Sequence, residues 1–93
     1  MRIHSAFYRT KDGSCDYQFS FEEQTDGIWR PYILSQPNYN GRETDQHSTH
    51  RLADDSRKYI CWDRPLETLD EAKQVAAIWA EKTQEYIRSG TRF

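Results

Sequence analysis

The chain has 93 residues, enough for one small domain, and we expect residues 1–93 to form a single unit. Hydrophobic residues make up 35% of the chain and aromatic residues 14%, so aromatic side chains must supply much of the buried area. The formal net charge is −2 and no block of the chain is strongly basic, so we expect no general electrostatic hold on nucleic acid, and only the middle third leaves room for a local arginine cluster.

The first third of the chain predicts three antiparallel strands. Met1–Thr10 is rich in residues that favour strands, and the Asp-Gly pair that follows predicts a turn. Polar and aromatic residues alternate over Cys15–Glu22, which places its aromatic residues on one face. A third strand is expected over Ile28–Leu34. Its Pro31 cannot donate a hydrogen bond, which favours an edge position or a local bulge.

Residues 35–50, SQPNYNGRETDQHSTH, contain no aliphatic residue and one aromatic residue, Tyr39. Two conformations fit this composition. Asn40 and Gly41 suit the turn of a long polar hairpin, and the whole stretch also suits an irregular loop. We favour a mixture, a protruding and partly paired arm over residues 36–50, because two-stranded ribbons without an apolar face are marginally stable in water.

The remainder of the chain predicts a hairpin and then a helix. The hairpin joins His50–Leu52 to Arg57–Trp62. The helix is expected over residues 69–88, because Thr68 begins a capping box and a Ser-Gly pair follows the last apolar residue. Apolar residues recur along this helix at helical spacing, and Trp79 is the largest of them, so we expect it to fill the space between helix and sheet.

This order of elements predicts an α+β fold, in which an antiparallel sheet of about five strands carries a single C-terminal helix on one face (β-β-β-β-β-α). Such a sheet is roughly 20–24 Å wide, whereas a helix with its side chains is about 10 Å across. One helix therefore leaves the opposite face without a cover. Unless strong twist closes that face, we expect an exposed apolar patch, and such patches usually mark a partner surface.

The sequence therefore favours a small non-enzymatic interaction module that binds a protein partner or itself. The contacts would come from the uncovered sheet face and the 36–50 arm, whose composition resembles that of many recognition loops. The alternative is a weak single-stranded nucleic-acid binder, which would stack bases on exposed aromatic rings and hold the backbone with arginine. The predicted binding residues are Trp29, Tyr39, Asn40, Arg42, His47, His50 and Arg51.

Catalytic and metal chemistry find little support in the sequence. His47 and His50 are too few for a zinc site, and no CxxC pair accompanies them. Cys15 and Cys61 lie within strand patterns, away from the glycine-rich turns or helix N-termini that activate a thiol. We therefore predict no catalytic residue, no metal and no cofactor. The N-terminal stretch lacks the apolar core of a signal peptide, so we expect a cytoplasmic protein with no membrane association.

Overall fold

The computed structural model describes residues 2–93, and over this range it has the predicted α+β fold: one five-stranded antiparallel sheet with a C-terminal helix packed on one face. Met1, the first residue of the first predicted strand, lies outside the described residues. The elements are β1 (Ile3–Arg9), β2 (Asp16–Glu23), β3 (Trp29–Ser35), α1 (Gln46–Thr49), β4 (Arg51–Asp54), β5 (Arg57–Ile60) and α2 (Leu69–Ser89). The single turn α1 was not predicted.

The strands lie in the order β1-β2-β3-β5-β4, so β3 pairs with β5 and not with the next strand in the chain. The connection over residues 36–50 is long enough to carry the chain past β5 to the outer edge. The β4–β5 hairpin then returns through a two-residue turn, in which Asp55 adopts a φ of 54°. The hairpin was predicted correctly, but its strands are Arg51–Asp54 and Arg57–Ile60, and not His50–Leu52 and Arg57–Trp62.

Pro31 lies in a central strand, and the prediction of an edge position for it is wrong. It is tolerated there because the ladder between β3 and β5 includes only Tyr32 and Ile33, so the missing amide hydrogen faces a part of the strand that β5 does not pair. The local bulge, the other alternative that the sequence predicts for this strand, lies further along β3. The register between β2 and β3 shifts next to Gln18, which is the signature of a β-bulge.

The core lies between α2 and the inner face of the sheet. Trp79 is 1% exposed and fills its centre, as predicted. Its ring meets those of Tyr17 and Phe19 edge-on, with centroids 5.9 and 6.1 Å away. Its indole N–H donates a 2.9 Å hydrogen bond to the backbone oxygen of Thr49, in the helical turn before β4. Aromatic side chains thus hold the helix, the sheet and the crossover together.

The ends of α2 are fixed by the caps that the sequence predicts. The Thr68 hydroxyl oxygen accepts a hydrogen bond from the Glu71 amide at 3.1 Å. Gly90 ends the helix with a φ of 79°, a conformation that glycine adopts without steric cost. The helix is one residue longer than predicted. Across residues 2–93, no helix combines the length and the apolar character needed to cross a membrane.

Candidate functional site

The outer face of the sheet, opposite α2, is covered by its own side chains. Tyr32 points to this face yet is only 1% exposed. The guanidinium of Arg57 lies over its ring, 3.7 Å from the centroid. Two hydrogen bonds of 2.7 and 3.2 Å hold that guanidinium on the Glu22 carboxylate. These bonds to Arg57 lower the pKa of Glu22.

A second arginine repeats this arrangement one strand away. Arg30 lies over the ring of Tyr59, 4.4 Å from the centroid. The Tyr32 hydroxyl donates a 2.6 Å hydrogen bond to Asp54, and burial together with this bond raises the pKa of Tyr32. The prediction that this whole face stays uncovered is therefore wrong. Long arginine side chains shield the tyrosine rings while their charged ends remain in water.

Other large apolar side chains remain exposed, including Leu34 on β3, the strand that carries Arg30 and Tyr32. The large hydrophobic residues that are exposed within residues 2–93 are Ile3, Phe7, Leu34 and Ile78. Ile3 and Phe7 are 69% and 75% exposed, and they lie on the outer face of β1, opposite Glu22 and Gln18 of β2. Ser5 lies between them. We call the three residues Ile3, Ser5 and Phe7 the β1 patch.

The β1 patch lies on a free strand edge, because β1 has only β2 as a neighbour. The backbone oxygen of Arg2 accepts from Glu23 at 2.9 Å, and the amide of Thr10 donates to Cys15 at 2.9 Å. Even-numbered residues of the strand therefore bond to β2. Backbone groups alternate in direction along a strand, so those of the β1 patch point to the free edge.

The 36–50 segment does not protrude, and no part of it forms a strand, so the predicted arm is wrong. It packs against the C-terminal end of α2. Tyr39 is 8% exposed, and its ring centroid lies 6.1 Å from that of Tyr86. The Arg42 guanidinium donates to the backbone oxygens of Ile87 and Arg88 at 3.4 and 3.3 Å. These carbonyls have no partner within the helix, so Arg42 caps it.

The other predicted binding residues divide between the surface and the core. Asn40 and His47 are exposed, whereas His50 and Arg51 are half-buried. Trp29 is 3% exposed and belongs to the core on the helix side of β3. A binding role for Trp29 stays a prediction that its burial disfavours.

The nucleic-acid alternative relied on exposed rings. Base stacking needs open aromatic faces. Trp29, Tyr32 and Tyr39 are 3%, 1% and 8% exposed. Their burial does not favour this alternative, which stays a prediction.

The structure brings His47, His50 and Arg51 together around Cys61. His50 and Cys61 face each other at the start of the β4–β5 hairpin, where the Cys61 amide donates to the His50 backbone oxygen at 2.8 Å. A cavity of about 170 Å³ lies on one side of this pair, bordered by His47 and Arg51. Within residues 2–93, no three His, Cys, Asp or Glu side chains are arranged to hold a metal ion.

A larger cleft of about 340 Å³ lies on the other side of His50 and Cys61, against the middle of α2. We call it the tryptophan cleft. The His50 ring stacks on Phe93 with centroids 4.3 Å apart, and His50 Nε2–H donates to the Phe93 backbone oxygen at 2.8 Å. The lining residues are His50, Cys61, Trp62, Asp63, Trp79, Lys82 and Phe93.

Sequence reasoning did not include the main residues of either site among the binding residues. Ile3 and Phe7 share one face of an alternating strand, a signal that was readable, but the identity of the edge strand was not. Trp62 and Lys82 lie far apart in sequence, and no spacing pattern links them. Only the folded hairpin and helix bring them into one cleft.

No protein-family model, curated protein or solved structure matches this chain. Its class is therefore defined by its own geometry: a small α+β domain whose sheet has β1 and β4 as edge strands and which carries an aromatic cleft beside α2.

Proposed function

We propose that this chain is a non-enzymatic interaction module that binds a second copy of itself through the free edge of β1. The observation that carries the proposal is the β1 patch, in which Ile3 and Phe7 are 69% and 75% exposed on an edge strand. An edge strand offers unpaired N–H and C=O groups, and a partner strand completes them. A second copy would continue the sheet across the two chains.

A two-fold axis at Ser5 suits this strand best. In an antiparallel pair about that axis, Ile3 lies opposite the partner's Phe7, and Phe7 lies opposite the partner's Ile3. Ile3, Ser5 and Phe7, whose backbone groups point to the free edge, then form hydrogen-bonded pairs with Phe7, Ser5 and Ile3 of the second copy. Their side chains lie on one face, so the apolar contact is made twice. An axis at Ala6 would instead place Ile3 opposite the partner's Arg9, which loses this contact.

The interface would be small. One strand pair with two apolar contacts buries less than the roughly 1,000 Å² typical of stable interfaces, so we expect reversible association with a micromolar dissociation constant. Light scattering and sedimentation measure it directly across concentrations from about 1 μM to about 1 mM, which bracket weak affinities. A monomer throughout this range overturns the proposal, even if the chain captures some unrelated protein.

Two lysine variants distinguish association through the β1 patch from association through any exposed apolar residue. Phe7→Lys places a charge on the free edge, a device that blocks strand pairing. Ile78→Lys makes the same kind of change on α2, where Ile78 is 43% exposed. We expect Phe7→Lys to be monomeric and Ile78→Lys to associate like the parent chain. Equal loss of association in both variants contradicts the role of β1.

A cysteine at the axis tests the register. The Cα atoms of a hydrogen-bonded antiparallel pair lie about 5.5 Å apart, within the range that a disulfide spans. In a background with Cys15 and Cys61 replaced by serine, Ser5→Cys should cross-link into a covalent dimer under mild oxidation. Arg9→Cys, which does not face its own copy in this register, is the control. Preferential cross-linking of the control excludes the proposed axis.

We also propose that the chain works in the cytoplasm. Cys15 and Cys61 are both free thiols, the usual state in a reducing compartment. Alkylation of freshly lysed cells followed by mass spectrometry should find both thiols modified. Recovery of either cysteine in an oxidised, alkylation-resistant form contradicts this location.

A further inference from the structure

The tryptophan cleft has the size and walls of a small-molecule site. Its volume of about 340 Å³ lies at the lower end of the range usual for ligand pockets, about 300–1,000 Å³. A benzene or indole ring with a short substituent fits such a volume. The cleft lies against α2 and the loop after β5, whereas the β1 patch lies on the outer face of the sheet.

The cleft walls are aromatic, and one of them is held firmly. Trp79 is 1% exposed and is fixed by its hydrogen bond to Thr49 and by its edge-on contacts in the core. Phe93 is held by its stacking on His50. Flat rings on preorganised walls favour a ligand with a flat apolar body, because little side-chain freedom is lost on binding.

Two opposite charges line the same cleft. Lys82 extends from α2 and Asp63 from the loop after β5, and both are exposed. Among the ion pairs formed within residues 2–93, none includes either residue. A ligand with only a carboxylate would satisfy Lys82 but would face Asp63, and a ligand with only an amine would meet the reverse conflict. A ligand that carries both charges satisfies both residues.

The ring of Trp62 is shared between the tryptophan cleft and a second pocket beside β3. From the aromatic walls and the two rim charges, we propose that the tryptophan cleft binds a small zwitterion with a flat apolar body, the chemical class of an aromatic amino acid.

Three ligands with one phenyl ring test this assignment. Phenylalanine carries both charges, 3-phenylpropionate only the carboxylate, and phenethylamine only the amine. The indole N–H signals in a ¹⁵N-edited spectrum report on the site, because Trp62 and Trp79 line the cleft and Trp29 does not. We expect phenylalanine to shift the first two signals and leave the third in place. Its affinity should exceed that of each single-charge ligand by about 2- to 5-fold, the worth of an exposed ion pair.

Charge-removing variants identify which residue binds the carboxylate of the ligand and which binds its amine. Lys82→Met should bring the affinities of phenylalanine and phenethylamine together, and Asp63→Asn should do the same for phenylalanine and 3-phenylpropionate. Lys73→Met, at an exposed position of α2 outside the cleft, should change neither ratio. No shift of Trp62 or Trp79 at millimolar phenylalanine overturns the inference, as does tighter binding of either single-charge ligand.

The cleft and the β1 patch are also separable by experiment. The monomeric Phe7→Lys variant should bind phenylalanine with unchanged affinity, since Phe7 is not part of the tryptophan cleft. Loss of binding in that variant contradicts an independent cleft.

Discussion

The hydrogen bond from Trp79 to Thr49 ties the helix to the crossover, and a matched pair of substitutions measures what it contributes. Trp79→Phe keeps a ring in the core but removes the indole donor. Trp29→Phe makes the same change at a tryptophan that is 3% exposed. Trp29 has no indole hydrogen bond within residues 2–93, so its replacement removes ring packing and weakens the contact with the Arg2 guanidinium, which lies 5.1 Å from the ring centroid.

The two variants should differ by the cost of an unpaired carbonyl. Each loses part of a buried ring, which costs about 1–2 kcal/mol by analogy with other large-to-small changes in cores. Trp79→Phe also leaves the backbone oxygen of Thr49 without its partner, and Thr49 is 1% exposed. A buried acceptor without a partner costs about 1–3 kcal/mol. We therefore expect Trp79→Phe to be less stable than Trp29→Phe by about 1–3 kcal/mol.

Urea unfolding followed by circular dichroism measures this difference. A domain of this size has a total stability of about 5–14 kcal/mol, so both variants should remain folded. Trp79→Ala, which removes the whole ring, should cost about 3–5 kcal/mol and approaches the lower end of that range. If Trp79→Phe and Trp29→Phe unfold at the same urea concentration with equal slopes, the hydrogen bond to Thr49 contributes nothing and the reasoning is refuted.

Three further outcomes are expected. Arg42→Ala should lower the free energy of unfolding by about 1 kcal/mol because it uncaps α2, whereas Thr44→Ala, at an exposed neighbour, should not; equal effects in urea would contradict the cap. Hydrogen bonds from Ser14 hold the pKa of Asp12 at about 2, below its ordinary 3.8. The ionised Asp12 therefore contributes fully to stability above pH 3.8, and this contribution is lost as the pH falls from 3.8 towards 2. Asp12→Asn should flatten this acid limb of the melting temperature. Burial raises the pKa of Tyr8 from 10.0 to about 12. The folded chain therefore favours the neutral phenol and loses stability as the pH rises from 10.0 to about 12, and Tyr8→Phe should remove this loss from the melting temperature.

Much of the fold follows from local patterns in the sequence. Alternation along Cys15–Glu22 identifies the inner face of β2, and the Thr68 cap gives the start of α2 to the residue. Strand order is different, because it depends on where a long connection carries the chain. Residues 36–50 have no periodicity that fixes their path, so neither the crossover nor the helical turn α1 is predictable from them.

The coverage of the outer face was misjudged for a physical reason. A width argument counts backbone elements, but Arg57 and Arg30 cover Tyr32 and Tyr59 with their own side chains. Sequence spacing did not reveal these contacts, since they join strands that are neighbours only in the observed order. Tyr39 was misjudged similarly, because its partner Tyr86 lies at the far end of the chain.

The detour of the chain around the end of α2 also bears on how the protein assembles. β1, β2 and β3 are consecutive neighbours that pair through short loops, so this part requires little loop closure. The β4–β5 hairpin is local too, but its docking onto β3 closes the long connection that Trp79 and Arg42 secure. A late docking step of the hairpin is therefore expected. Amide hydrogens of β5 should exchange with solvent sooner than those of β2, as a unit that opens before the rest unfolds.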